Sequence, residues 1–393
     1  MVEPARRRTQ TSLINNPAVR GYAAQAMLVL VLAALLIAAA RNAYINMEAR
    51  GIPTGFGFLS QTASFEINQK LIPYSALSTY ARAYWVGLSN TALVGALGIA
   101  LATPLGFAVG LARLSRNWIL AKTAMVYVEI MRNTPLLLQL LFWYNAVLKT
   151  LPAPRESLRL GDLLFLNIRG LYLPNPQFGE GAGWIAIAFA IGVAAAFGFG
   201  FWARRRQELT GARAPVAFVA LALCLGLPAL AFLAAGRPIE FDFARLVGFN
   251  MQGGLQLYPE FVALVFGLVT YTAAFIAEIV RAGVLGVSKG QSEAASALGL
   301  SRAAALRLVI VPQAMRLITP PLISQYVNIV KNSTLAVAIG YPDLVQIFAG
   351  TVLNQTQAAV QVMAITMGTY LAISLAVSAT LNLYGARGAL KER

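Results

Sequence analysis

Two charged side chains of opposite sign stand three residues apart inside a long apolar stretch, and they offer the clearest ligand-binding chemistry in this sequence. Glu129 and Arg132 fall on one face of a helix, and Asn133 and Thr134 follow directly. Together they provide hydrogen-bond acceptors and donors at one depth of the apolar stretch, so they could bind a polar or charged ligand there. Glu129 and Arg132 could equally form a structural ion pair, because a charge in an apolar layer is stabilised by pairing.

A proline in the same stretch predicts an irregular backbone beside these groups. Pro135 removes one backbone donor and disfavours the helical hydrogen bond to the Met131 carbonyl. Irregular backbone within a membrane is tolerated where it is buried or lines a cavity. We therefore expect the Met131 carbonyl to be a further acceptor for a ligand.

A later apolar stretch carries polar groups that could line the same cavity. Tyr271 and Thr272 lie near its middle, and Glu278 and Arg281, again three residues apart, lie near its end. The second pair could form a gate or a subunit contact. It could also be an ion pair whose side chains simply extend to the membrane surface.

The polar end of another apolar stretch contains Lys331 and Asn332. Lys331 could attract an anionic ligand at the mouth of a pathway, or it could be an ordinary interfacial lysine.

Composition places all these residues in a membrane protein that crosses the bilayer several times. The chain has 393 residues, of which 58% are hydrophobic and 12% charged. The net charge of +16 does not indicate nucleic-acid binding, because the basic residues lie between apolar runs instead of forming one stripe. With one cysteine and no histidine, the chain has no internal disulfide, thiolate metal site or histidine-based catalysis.

Stretches of about 20 apolar residues are long enough to span the hydrocarbon core. The sequence contains eight candidates, at residues 22–40, 84–112, 119–148, 184–202, 215–234, 260–282, 315–340 and 358–384.

The distribution of basic residues predicts the orientation of these spans. If the N-terminus is cytoplasmic, nineteen of the 31 Lys and Arg residues lie on the cytoplasmic side and eleven on the other. This bias favours cytoplasmic N- and C-termini.

The spans suggest an all-α membrane protein with a two-helix insertion. Spans four and five flank a turn with three successive arginines, and without them spans two, three, six, seven and eight form a five-helix core. We divide the chain into an N-terminal tail, first span and periplasmic segment (1–83), a first core part (84–149), the insert (150–259) and a second core part (260–393). The outer segments 41–80, 149–183 and 235–259 are predicted to be ordered loops or short interfacial helices.

The segment 283–314 between spans six and seven has the features of a structured docking loop. Glu293 is predicted at the start of a first short helix, where a negative charge suits the helix dipole. Gly299 can end that helix in a left-handed conformation, and Ser301 can cap a second helix. Pro312 is predicted to separate the second helix from span seven.

Small side chains on the first of these helices allow close approach of another protein. The surface is predicted to include Ala294, Ala295, Ala297 and Leu298. The alternative is an amphipathic linker that lies on the membrane.

This loop resembles the coupling loop of bacterial ABC importer permeases, which reads Glu-Ala-Ala, three residues, Gly, nine residues, Ile-x-Leu-Pro. Here Val311 replaces the usual Leu, and the spacing from Gly to Ile is one residue longer. The segments 129–139, 277–281 and 331–335 are similar to signatures of the polar-amino-acid branch. With its eight spans and insert, the chain resembles the longer permeases of importers for general L-amino acids or for glutamate, glutamine, aspartate and asparagine.

The resemblance implies a five-helix permease core of the type I importer class in the bacterial inner membrane. It implies a coupling loop that binds a cytoplasmic ATPase. The residues expected to make that contact are Glu293, Ala294, Ala295, Leu298, Gly299 and Arg302.

The same resemblance implies a set of partners. These are a second, different permease, two ATPase subunits and a periplasmic amino-acid-binding protein, besides membrane lipid. The chain has no Gly-x4-Gly-Lys-Ser/Thr segment, so ATP and Mg²⁺ are expected on the ATPase and no cofactor on this chain.

Two other classes of function remain alternatives. A secondary transporter driven by an ion gradient would favour inverted repeats and broken helices around an ion site, and no such repeat is evident. A docking subunit that transports nothing would explain the loop but not the polar groups of span three.

Overall fold

A computed structural model describes residues 17–49, 51, 55–212 and 214–388, with side chains described from position 20 to position 380. Most of the predicted cytoplasmic N-terminal tail (1–16), Arg213 and the last five residues lie outside this part of the chain. The described residues are mainly helical, as predicted. The α-helices are α1 (Pro17–Ala49), α2 (Tyr80–Arg113), α3 (Trp118–Asn133), α4 (Leu136–Leu141), α5 (Gly183–Thr210), α6 (Val216–Ala234), α7 (Pro259–Leu285), α8 (Lys289–Ala297), α9 (Arg302–Ala305), α10 (Val311–Asn332), α11 (Leu353–Thr356) and α12 (Ala359–Gly388).

Seven helical runs in the described residues are long and apolar enough to cross a membrane. Six of them are α1, α2, α5, α6, α7 and α12 up to Thr380. The seventh is the run Arg302–Ile339, which contains α9 and α10. These runs confirm seven of the eight predicted spans.

The third predicted span is not one continuous helix. α3 ends at Asn133 and α4 begins at Leu136, after which the chain continues through a π-helical turn at Phe142–Val147. The residue before a proline is pushed out of the helical region, and Thr134 accordingly has φ −99° and ψ 128°. The irregular backbone predicted at Pro135 is therefore confirmed, and the candidate span 119–148 consists of two α-helices and a π-helical turn instead of one continuous run.

Two of the outer segments form short β-strands where loops or interfacial helices were expected. The strands are β1 (Leu158–Leu160), β2 (Leu164–Asn167), β3 (Gly170–Leu173), β4 (Asn175–Phe178), β5 (Ile239–Asp242), β6 (Arg245–Val247), β7 (Asn250–Gln252) and β8 (Leu255–Leu257).

All pairings between these strands are antiparallel. They form a four-stranded sheet in the order β1-β2-β3-β8 and two-stranded sheets β4-β5 and β6-β7. The strands are only three or four residues long, and the turns between β1 and β2 and between β6 and β7 contain Gly161 and Gly248, which both have positive φ. Such short runs carry little periodicity, so the sequence pattern did not reveal them.

The chain forms two compact units. The first comprises the described residues up to Ala92 together with Pro342–Ala379. In its core, Asn90 donates to the carbonyls of Gln69 and Pro342, each at 2.8 Å. The Asp343 carboxylate accepts from the Gln346 amide at 2.8 Å, and burial raises the pKa of Asp343 to about 7.

The second unit comprises Leu93–Tyr341 and the described residues from Thr380. Its central element is α7, which contacts α3, α4 and α10. About half of the residues of α7 are buried, and they cover more than one face of the helix. Residues such as Leu264, Leu268 and Ile276 are fully buried there. α7 therefore positions the polar groups that its remaining face carries.

Candidate functional site

One carboxylate on α7 meets three guanidinium groups from three helices. Arg281 binds Glu278 with both branches of its side chain, at 2.5 Å from Nη2 to Oε1 and 3.2 Å from Nε to Oε2. Arg113, the last residue of α2, donates from Nη1 to Oε2 of the same carboxylate. Arg132 of α3 lies 4.0 Å away, from Nη1 to Oε2. We call Glu278, Arg281, Arg113 and Arg132 the Glu278 cluster, and it carries a net formal charge of +2.

Glycines on α2 bring Arg113 into this cluster. A Cβ atom at Gly106 would lie 2.5 Å from Cβ of Ile276, and one at Gly110 would lie 2.8 Å from the Ala277 carbonyl. Larger residues would therefore force α2 away from α7. Gly106, Gly110 and Arg113 are spaced by four and three, so they share the face of α2 that packs on α7.

Arg132 is the least constrained member of the cluster. Its side chain is 37% exposed, and its guanidinium lies 5.3 Å from the ring centroid of Phe275. It makes no hydrogen bond with any described residue, so its donors remain available to a ligand.

The predicted ion pair between Glu129 and Arg132 is wrong. Glu129 is exposed and accepts instead from Asn133 Nδ2 at 3.2 Å. Spacing of three residues allows a pair, but α7 offers Arg132 both a carboxylate and an aromatic ring. Arg132 therefore holds α3 to α7, which is the structural role that the sequence left open, although with a different partner.

Polar groups at the break between α3 and α4 are satisfied within the chain. Gln139 Nε2 donates to the carbonyls of Met131 and Thr134, each at 3.0 Å, and the Thr134 hydroxyl donates to Ile130 at 2.8 Å. The Met131 carbonyl, expected to accept from a ligand, thus already accepts one hydrogen bond within the chain. Gln139 Oε1 is buried and receives no hydrogen bond from the described residues.

Tyr271 and Thr272, which are adjacent in α7, point to different faces of the helix. The Tyr271 ring packs on Phe275 with centroids 4.9 Å apart, so Tyr271 continues the face that carries Glu278. Thr272 is only 2% exposed and faces the helix packing instead. It is therefore not part of a cavity surface.

Lys331 and Asn332 lie far from the cluster along α2. They follow Ile329 and Val330, which pack at Gly98 and Gly95, whereas the cluster lies at Gly110 and beyond. At 1.5 Å per residue this separation is roughly 20 Å. Lys331 is exposed at the end of α10, so any contact with a ligand would occur at a different depth.

The docking loop has two of the predicted helix signals. Gly299 has φ +72° and ends α8, while the Leu300 amide donates to the Ala295 carbonyl at 3.1 Å. The Ser301 hydroxyl caps α9 by accepting from the Ala304 amide at 3.3 Å.

Three other predictions about the loop are wrong. α8 begins at Lys289 after the extended Ser288, so Glu293 lies mid-helix and not at its start. Ala295 is 3% exposed and packs within the loop, because α8 contacts α9 and the turn that follows. Pro312 does not separate the helices: it is the second residue of α10, and a π-helical turn at Leu306–Ile310 connects α9 to α10.

The remaining residues of the predicted contact surface are exposed. Leu298 is 81% exposed, and Glu293, Ala294, Gly299 and Arg302 are also exposed. Leu298 directly follows the last residue of α8. Single exposed apolar side chains are common on protein surfaces, so this exposure leaves Leu298 accessible but does not by itself identify a partner.

Sequence reasoning missed three members of the site, namely Arg113, Phe275 and Gln139. The spacing of Gly106, Gly110 and Arg113 could have indicated Arg113. Gln139 stands out as the polar residue that follows three leucines after Pro135. Phe275 gives no such signal in an apolar helix.

Comparison with known proteins places this membrane fold in one class. Residues 102–387 match the family model of the inner membrane component of binding-protein-dependent transport systems. The chain is 48% identical to the putative amino-acid ABC transporter permease YhdX of Escherichia coli K12, covering 96% of both chains. It is 46% identical to the general L-amino acid transport permease AapQ of Rhizobium johnstonii, over 97% of this chain and 95% of that one.

A third relative is the glutamate/glutamine/aspartate/asparagine transport permease BztB of Rhodobacter capsulatus, 40% identical over 97% of this chain and 96% of that one. A solved amino acid ABC transporter with histidines aligns with a TM-score of 0.47 at 22% identity, over 78% of this chain and 95% of that chain. The seven membrane-length helices and the near-full-length similarity to permeases define a polytopic membrane permease. The chain belongs to the family of inner membrane components of binding-protein-dependent transport systems.

We expect Glu278→Gln to lower the free energy of unfolding by about 1–3 kcal/mol, because it leaves three arginines without their shared carboxylate. Thermal unfolding in detergent measures this loss. Glu129→Gln is the matched control and should stay within about 0.5 kcal/mol, since Glu129 is exposed and accepts one hydrogen bond. Equal effects of the two substitutions would contradict the cluster.

Proposed function

We propose that this chain is the membrane-spanning permease of an ATP-driven importer that carries polar L-amino acids from the periplasm to the cytoplasm. Glutamate, glutamine, aspartate and asparagine are the favoured substrates, as the names of its relatives suggest. The observation that carries this proposal is the positive excess of the Glu278 cluster, in which Arg132 makes no hydrogen bond with the described residues.

The substrate contact is proposed on the exposed face of α3 and the adjoining face of α7. Arg132 would bind a substrate carboxylate, and Glu129 with Asn133 would accept from its ammonium group. Tyr271 would contribute an apolar wall beside Phe275.

Other parts of the proposed pathway have separate roles. Thr134 bonds its own helix, and Thr272 lies in the packing, so neither is assigned a substrate contact. Lys331 and Asn332 would act nearer the outer mouth. Glu278 and Arg281 would form the inner gate.

Coupling is proposed through the loop at α8 and α9. Leu298 would insert into a groove of a cytoplasmic ATPase, flanked by Glu293, Ala294, Gly299 and Arg302. Gln313 Nε2 donates to Gln291 Oε1 at 3.0 Å and joins α8 to α10. Movement of the loop would therefore reach a membrane helix directly.

The working importer is proposed to contain further subunits. A second, different permease, two ATPases and a periplasmic amino-acid-binding protein would complete it. ATP and Mg²⁺ would bind on the ATPases. This chain would lie in the inner membrane with both of its termini in the cytoplasm.

Reconstitution with these partners in proteoliposomes tests the proposal. ATP-dependent, vanadate-sensitive uptake of radiolabelled glutamate or glutamine is expected. Uptake that needs only an ion gradient would favour a secondary transporter. ATPase binding without any uptake would favour a docking subunit.

We expect Leu298→Asp to abolish ATPase recovery or reduce ATP-driven uptake at least tenfold, because it places a charge in a desolvated apolar contact. Leu209→Asp is the control, since Leu209 is 85% exposed and lies outside the loop. Uptake by the Leu298 variant at the level of the Leu209 variant would refute the assigned coupling surface.

We expect Arg132→Met to reduce the kcat/KM for glutamate uptake about tenfold or more, since a charge-assisted bond to a carboxylate contributes about 1.5–3 kcal/mol. Arg116→Met, at an exposed loop position, should leave uptake unchanged. Unchanged affinity and rate in the Arg132 variant would remove this residue from the pathway.

A further inference from the structure

The two helices of the insert enclose a groove that the transport proposal does not use. The groove between α5 and α6 has a volume of about 740 Å³. Val193, Phe197, Phe201 and Val216 line it, while Arg204 and Gln207 lie at one end. It is therefore an apolar channel with a polar, cationic end.

The groove has a closed and an open end. Near Gly192 the helices touch, because a Cβ there would lie 2.5 Å from the Leu223 carbonyl. At Gly200 a Cβ would make only an ordinary van der Waals contact, 3.8 Å from Val216 Cγ1, so the two helices are less tightly packed there than at Gly192. The space thus widens toward Arg204.

Three successive arginines stand at the open end. Arg205 lies 4.7 Å from the ring centroid of Phe201, and Arg206 lies 5.3 Å from that of Trp202. Arg204 makes no ion pair or hydrogen bond with the described residues and lines the groove itself. Aromatic rings beside cationic side chains at a helix end are typical of the membrane interface.

The ligand of such a site must join an anionic group to a long apolar chain. We propose that the groove binds an anionic glycerophospholipid. Its phosphate contacts Arg204 and Gln207, and one acyl chain lies between α5 and α6. Basic pockets between membrane helices bind acidic head groups in this way. An apolar helix of another subunit would fill the apolar part but leave the charge of Arg204 without a counter-ion.

The position of the groove agrees with this occupant. α5 and α6 have the length and hydropathy of membrane spans, and their apolar windows are almost entirely exposed in the described residues. The groove therefore faces the acyl chains of the bilayer, and an acyl chain can enter it laterally from the membrane. This inference is independent of the proposed substrate and of the direction of transport.

Native mass spectrometry of the full-length chain in detergent, mixed with phosphatidylglycerol or phosphatidylcholine, tests the proposal. We expect Arg204→Gln to weaken phosphatidylglycerol binding at least about tenfold. Arg206→Gln, at a side chain packed on Trp202, should bind like the parent chain. Equal binding of the two lipids, or equal loss in both variants, would overturn the site.

A second pair of variants tests the acyl-chain part. Gly200→Phe fills the groove and should abolish lipid retention, whereas Gly198→Phe, at a position with open space around it, should not. Helical content by circular dichroism establishes that both variants fold. Retention by the Gly200 variant at the parental level would overturn the proposal.

The single cysteine gives an independent readout, because Cys224 lines the groove. Phosphatidylglycerol should slow its reaction with a maleimide, and inorganic phosphate should not. Equal protection by phosphate, or protection only when a second permease is bound, would contradict a lipid site.

Discussion

The carboxylate of Glu278 is the constraint on which the rest of the second unit depends. A charge inside a membrane segment is costly unless it is paired, and this one is paired with arginines from α2, α3 and α7. Its partners can reach it only if the three helices keep their spacing. Gly106 and Gly110 allow that spacing by removing the side chains that would separate α2 from α7. One carboxylate, through its ion pairs, thus couples the positions of helices that are far apart in the chain.

The same helix connects this cluster to the docking loop. α7 ends at Leu285, seven residues beyond Glu278, and α8 begins at Lys289. Near this loop α7 also packs closely on α10, since a Cβ at Gly283 would lie 2.3 Å from Ile318 Cγ1 of α10. α7 and α10 therefore form a closely packed pair beside the loop. In the proposed transport cycle, this packing carries a displacement of the ATPase to the groups that bind substrate.

Long apolar helices were predictable, because hydropathy over about 20 residues depends little on context. The break at Thr134 followed from Pro135, as did the ends of the loop helices from Gly299 and Ser301. The pairing of Arg132 with Glu278 was not predictable, since local spacing offered Glu129 and only the packing of α3 on α7 offered a better partner. The burial of Ala295 likewise depends on how α8 folds onto the rest of the loop, and the short outer strands are defined by pairing between distant segments.

The most direct measurement of the central claim is a double-mutant cycle between α2 and α7. Arg113→Gln, Glu278→Gln and the double variant would be compared by their free energies of unfolding in detergent. We predict a coupling energy of about 1–3 kcal/mol between Arg113 and Glu278. A parallel cycle with Arg132→Gln should give a smaller value, because that guanidinium lies 4.0 Å from the carboxylate. Additive effects of Arg113→Gln and Glu278→Gln would contradict the account, since the carboxylate would then not hold the two helices together.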